Sequence, residues 1–162
     1  MLIPGCVSCD ILAGITAEPG GTIHEDEFWH VGSYAGRFSV WRGFLIVKLK
    51  RHVTQLADLT PAEAAAMGPV VQRCCQALDQ VLKPAKVYVC SFGDGVGHVH
   101  WWLLPRPAEM RAGMHAVFFQ LDARLALARL GFQHFSLPPG EVAGIADRLR
   151  EALASAENPV GV

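Results

Sequence analysis

His98-Val99-His100-Trp101-Trp102-Leu103-Leu104-Pro105-Arg106 is the stretch on which the fold turns. Alternate residues of a strand share one face, so its two imidazoles are expected to point the same way. Pro105 should end the strand, because proline cannot donate to a ladder and is confined to strand ends and edges. Upstream, Lys86-Val87-Tyr88-Val89-Cys90-Ser91-Phe92 alternates and is rich in β-formers, and Gly93-Asp94-Gly95-Val96-Gly97 separates it from the histidine strand. Two neighbouring strands and a tight glycine loop imply a hairpin. A neutral imidazole can act as metal ligand, general base or nucleophile, so a pair can divide those jobs. The spacing alone favours the plainer reading, two half-exposed strand histidines.

The chain has 162 residues, room for one compact domain. Its apolar fraction of 51% and charged fraction of 18% describe a well-buried globular protein. A formal charge of −1 gives no general pull toward nucleic acid or an anionic membrane, so neither partner is expected. No apolar run is long enough to cross a bilayer, and Met1-Leu2-Ile3-Pro4-Gly5 lacks the start of a signal peptide, so a cytoplasmic location is expected. The five cysteines are an odd number, which suits a reducing compartment better than a disulfide framework. Cys74, Cys75 and Cys90 read as small core residues.

Residues 22–31 are expected to form a strand, and 43–47 a buried central strand ending in Lys48-Leu49-Lys50-Arg51-His52. Thr60-Pro61-Ala62-Glu63 opens a helix, with Thr60 at the N-cap, Pro61 at the first helical position and Glu63 closing a capping box. That helix should persist to about Leu82, with a kink or early break at Gly68-Pro69. An apolar segment from about 110 to 130 and a stretch after Pro138-Pro139-Gly140-Glu141 read as helical. The expected class is α+β: an antiparallel sheet of about five strands with one long helix and C-terminal helices. Trp29, Trp41, Trp101 and Trp102 read as core residues or as stacking surface for a base.

Cys6-Val7-Ser8-Cys9 lets two thiolates grip one borderline cation such as zinc. With no second CxxC, the remaining donors should be histidines. His52, after a central strand, and His98, opening the histidine strand, are the candidates; His24, His30, His115 and His134 lack an equally definite setting. The alternative is a pair of buried thiols and a surface histidine. Thioredoxin-like chemistry would want its CxxC at a helix start after a strand, a setting residues 6–9 lack.

Together these pieces resemble the histidine triad (HIT) superfamily, particularly its zinc-binding bacterial branch related to the Hint proteins. Residues 6–14 look like that family's N-terminal CxxCxIxxG segment, residues 43–52 are similar to its strand with a Lys-x-His ending, and residues 98–106 match its signature strand and Pro-Arg tail. The resemblance implies a HIT-like domain over 1–106, with 107–162 as a helical extension packed on it. It implies a structural zinc held by Cys6, Cys9, His52 and His98. It also implies that His100 attacks the α-phosphorus of a nucleotide to form a nucleotidyl-histidine, and that the protein is a homodimer.

Gly93, Gly95 and Gly97 could let backbone N–H groups approach phosphate oxygens, or could serve simply as a turn. Trp102 stands where the family has its third histidine, and an indole cannot exchange a proton near neutral pH. No Gly-Gln-Ser/Thr passage precedes the signature strand, and residues 32–42 contain no carboxylate for ribose hydroxyls. The leading expectation is a nucleotide or dinucleoside polyphosphate hydrolase, or a nucleotidyl transferase, with Gly95, Gly97 and Trp102 contacting substrate. A non-catalytic nucleotide- or phosphoester-binding protein with a structural zinc is the alternative. A zinc domain acting through protein contacts is the third reading.

Overall fold

The computed structural model describes residues 1–34 and 39–157. Five strands, β1 (Thr22–Glu25), β2 (Trp29–Ser33), β3 (Leu45–Leu49), β4 (Lys86–Cys90) and β5 (His100–Arg106), form one antiparallel sheet in the order β1-β2-β3-β5-β4. The described helices are α1 (Val7–Leu12), α2 (Pro61–Leu82), α3 (Met114–Arg129) and α4 (Pro139–Glu157). This is the α+β architecture expected from the sequence.

The period-two alternation sorts the sheet into two faces. Trp29, Val31, Leu45, Val47, Leu49 and Leu103 pack under α2, through Val70, Cys74 and Leu78, and under α4, through Ile145, Ala146, Leu149 and Leu153. On the other face Ile46, Trp102 and Leu104 meet Trp41, Phe44 and the buried Val117, Leu121 and Ala128 of α3. Both C-terminal helices therefore pack on this one sheet, on opposite sides.

Helix α2 begins as its sequence dictates. The Glu63 N–H donates to Thr60 Oγ1 at 3.2 Å and the Thr60 N–H to Glu63 Oε2 at 2.8 Å, a complete capping box with Pro61 behind it. It ends at Lys83, in the left-handed region (φ 48°), before Pro84. The expected break at Gly68-Pro69 does not occur, and α2 runs unbroken through Pro69. Ala65, whose carbonyl loses its partner to the proline, lies on the exposed side, where water can satisfy it.

Three further expectations are corrected. Residues 22–31 are two strands, because Asp26 Oδ1 accepts from the N–H groups of Phe28 (2.9 Å) and Trp29 (2.7 Å) and turns the chain. The glycine loop is not tight: residues 91–99 connect β4 to β5, and His98 precedes the strand that His100 begins. Pro105 does not end β5. It pairs with Val87 of β4, beyond the last partner of β3 at Leu45–Leu103, so its missing donor interrupts no β3 ladder.

Candidate functional site

The ladder that sets β3 beside β5 also brings two histidines to the N-terminal thiols. Val99 is clipped by its own N–H to Val53 O (2.7 Å) and by the Leu49 N–H to its carbonyl (3.1 Å), fixing the segments that carry His98 and His52 together. Cys6 caps α1 and Cys9 lies buried within it. Donor atoms of Cys6, Cys9, His52 and His98 all fall within 4.8 Å of one another. Cys9 Sγ stands 3.3 Å from His52 Nδ1 and 3.6 Å from His98 Nδ1, and Cys6 Sγ 3.6 Å from His98 Nδ1.

The proton on His98 is assigned by its partner. His98 Nε2 lies 2.7 Å from Leu49 O, a carbonyl that can only accept, so Nε2 carries the hydrogen and Nδ1 turns a lone pair toward the thiols. Burial, ahead of neighbouring charges, lowers the His98 pKa and keeps the ring neutral. Burial likewise pushes the Cys9 thiol up, with Cys6 and Asp10 adding to it. Two thiols and two inward-facing ring nitrogens around one point match the donor set and count of a tetrahedral Cys₂His₂ metal site.

His100 faces a different space. Its Nδ1 lies 2.6 Å from His98 O, so Nδ1 donates and Nε2 keeps its lone pair. The ring is 8% exposed and lines a cleft of ≈ 390 Å³. Ile46, Lys48, His100 and Trp102 form the floor; Val7, Ser8 and Ile11 of α1 line it too, as do Phe92, Gly93, Gly95 and Val96 of the β4–β5 loop, and Arg129 contributes from the end of α3. Trp102 is held edge-on by Tyr34, Phe44 and Phe92, at centroid distances of 6.4, 5.1 and 5.3 Å.

A buried ion pair lies in the same floor. His30, Lys48 and His100 stand opposite one another across β2, β3 and β5, and Lys48 Nζ donates to Glu18 Oε1. The two side chains are 2% and 4% exposed. The Glu18 carboxyl lies directly over Gly32, where a Cβ would come within 1.9 Å of its carbon. Burial pushes the Glu18 carboxyl up and the Lys48 ammonium down, and each draws the other back. Burial first, then the Lys48 charge, lowers the pKa of His30 to about 4.

Of the residues singled out in the sequence, Cys6, Cys9, His52 and His98 come together, while His100, Trp102 and Gly95 line the cleft beside them. Gly97 is not among the residues lining that cleft. His98 and His100 serve separate sites because the chain bends between them before β5 begins. Part of the carboxylate-free stretch 32–42, residues 35–38, lies outside the described residues. Trp29 and Trp41 are core residues whose indoles donate to Glu63 O (3.1 Å) and Pro105 O (2.7 Å). Sequence reasoning missed Glu18, Lys48 and Arg129. A lysine inside the apolar run 43–49 was the one signal available for Lys48; Glu18 and Arg129 carried none.

Residues 30–109 match the HIT domain family. The fold is similar to that of a Zn-bound histidine triad family protein from Mycobacterium smegmatis, at 22% identity and TM-score 0.66 over 96% of this chain and 97% of that one. It is also similar to a hypothetical histidine triad nucleotide-binding protein from Sulfolobus tokodaii (14% identity, TM-score 0.68, 96% and 97% covered). A Hit-like protein involved in cell-cycle regulation from Bartonella henselae is a third such structure (13%, 0.67, 94% and 98%). Comparison with curated proteins gives no match. Sheet order, signature strand and family match agree: residues 30–109 match the HIT domain, and the chain carries the fold of histidine triad proteins.

Proposed function

We propose that this protein is a HIT-type hydrolase or nucleotidyl transferase in which His100 is the nucleophile toward the α-phosphorus of a nucleotide. The observation that carries this reading is the bond from His100 Nδ1 to His98 O, which leaves an Nε2 lone pair directed away from the backbone in a ring lining a ligand-sized cleft. Nε2 forms a bond to phosphorus as the bond from phosphorus to the leaving group breaks, and the charge arriving on the ring is shared with His98 O through Nδ1–H. Water, or another acceptor, then attacks phosphorus and the N–P bond breaks, returning a neutral imidazole. The likeness to a Zn-bound histidine triad protein and to a hypothetical histidine triad nucleotide-binding protein supports this reading.

Cys6, Cys9, His52 and His98 are proposed to hold zinc in a structural role. With four protein donors such a site has no open position for substrate, and the ion's part is to fix α1 and the His98 segment, and through His98 O the tautomer of His100. Gly95 and Trp102 are proposed to contact the nucleotide. Residues 107–162, of which 158–162 lie outside the described residues, are proposed to be an extension of a 1–106 domain, with α3 and α4 packed on its sheet. The free edge of β4 is proposed to be covered in a homodimer.

A binding-only protein is the second reading, favoured by one observation, the indole of Trp102 in the cleft. Intact-mass analysis after incubation with a panel of nucleotides and dinucleoside polyphosphates decides between them. An acid-labile adduct lost in His100→Ala is expected. Saturable binding without any adduct would establish the second reading instead.

A further inference from the structure

Strands β2, β3 and β5 lie in that order across the cleft floor, so Lys48 of β3 stands between Glu18, seated over Gly32 of β2, and His100 of β5. Lys48 and His100 are directly opposite one another in the ladder, and neighbouring strands lie about 4.8 Å apart. An ammonium carries three donors. Among the described residues, Glu18 Oε1 is the one acceptor that Lys48 Nζ meets, and it approaches from the β2 side. Two N–H groups are left for the space beside His100.

The fold itself has little use for this pair. Taking two charges out of water costs about as much as their attraction returns, and apolar side chains of the same volume serve a core as well. The sheet nonetheless gives up a side chain at residue 32, where a Cβ would collide with the Glu18 carboxyl. Both partners line the cleft, with side chains 2% and 4% exposed. Arg129, the other cation among the described residues lining the cleft, is exposed at the end of α3, and the Trp102 indole offers one neutral donor. Donors fixed before the reaction stabilise developing charge most, and Lys48 is the cation so fixed.

We propose that Lys48 is a catalytic residue, whose ammonium, aimed by Glu18, donates to one non-bridging oxygen of the α-phosphorus that His100 attacks. The inference rests on the assignment of His100 as nucleophile. In the step, the N–P bond forms at His100 Nε2 and the bond from phosphorus to the leaving group breaks, its electron pair departing with that group. Lys48 keeps its three protons throughout and stabilises the charge gathering on the non-bridging oxygen. Glu18 is a positioning residue: it is the counter-charge for a buried ammonium, and it stands on the far side of Lys48 from His100.

The test uses the purified, zinc-loaded full chain with diadenosine triphosphate and the Rp,Rp and Sp,Sp isomers of its α,α′-dithio form, each of which puts sulfur at one non-bridging position. Sulfur accepts a hydrogen bond poorly, so the wild type should turn over the two isomers with kcat/KM values at least about tenfold apart. Glu18→Gln combined with Lys48→Met removes both charges at similar volume. This double variant should keep the thermal midpoint within a few degrees, lower kcat on diadenosine triphosphate about 100-fold and bring the two isomers to within about twofold of each other. A wild type indifferent to the isomer, or a double variant that keeps the wild-type rate or the wild-type isomer preference, would overturn the role of Lys48 while the His100 adduct upheld the nucleophile. No adduct, here and across the wider nucleotide panel, would overturn the nucleophile itself, and this inference with it.

Discussion

A single carbonyl decides what each signature histidine is able to do. Leu49 O takes the Nε2 hydrogen of His98 and so turns Nδ1 toward the thiols; His98 O takes the Nδ1 hydrogen of His100 and so frees Nε2 for the cleft. Identical rings acquire different chemistry from opposite tautomers. The buried Glu18–Lys48 pair shows the same dependence on a partner. Lys48→Met strands a carboxylate in the sheet face and should destabilise the fold by about 3–5 kcal/mol, whereas Glu18→Gln with Lys48→Met should recover most of that loss. Urea unfolding of the two variants measures the difference, and equal losses would contradict the pairing. His30 beside them is held at about 4, against 6.5 for an ordinary imidazole. The unfolded chain therefore takes up that proton first, so the ring's contribution is complete above about pH 6.5 and declines as the pH falls toward 4. His30→Gln should flatten the stability profile over that interval.

Among the elements, α2 is the one whose start was written out locally. Thr60 and Glu63 satisfy each other's backbone donors, and Thr60→Ala should cost about 1 kcal/mol. Glu63 also accepts from Arg51 Nε at 2.8 Å and Nη2 at 2.7 Å. The Arg51 guanidinium is the main reason its pKa is lowered to about 2, with the Thr60 bonds assisting. With a folded value below the unfolded one, this contribution is present above about pH 4.5 and disappears as the pH falls through about 2. Glu63→Gln should remove that acid-side slope in urea titrations. The β1–β2 turn was less legible, because an apolar-rich stretch from 22 to 31 reads as one strand until Asp26 is seen binding two backbone N–H groups. Pro69 likewise looked like a break and is not, since burial of Val70, Cys74, Ala77 and Leu78 holds α2 together across it.

For the molecule as a whole, the Cys₂His₂ cluster joins α1, the segment after β3 and the loop before β5, three pieces distant in sequence. An ion bound there stabilises the folded state in proportion to its affinity. Chelation or Cys9→Ser should lower the thermal midpoint by several degrees, and zinc should restore the chelated wild type but not the variant; a midpoint indifferent to chelator would exclude a stabilising ion. By itself the sequence determined the α+β class and the α2 boundaries, because periodicity and capping are properties of residue types at fixed spacing; its CxxC offered two donors of the cluster and His52 and His98 as candidates, and the family resemblance supplied the full set. Only the tertiary structure decided that His98 and His100 serve different sites, that Glu18 covers Lys48 over Gly32, and that Arg129 reaches the cleft. Those facts rest on which carbonyl meets which ring and on which side chains from remote segments share a sheet face, and strand pairing and helix packing set both.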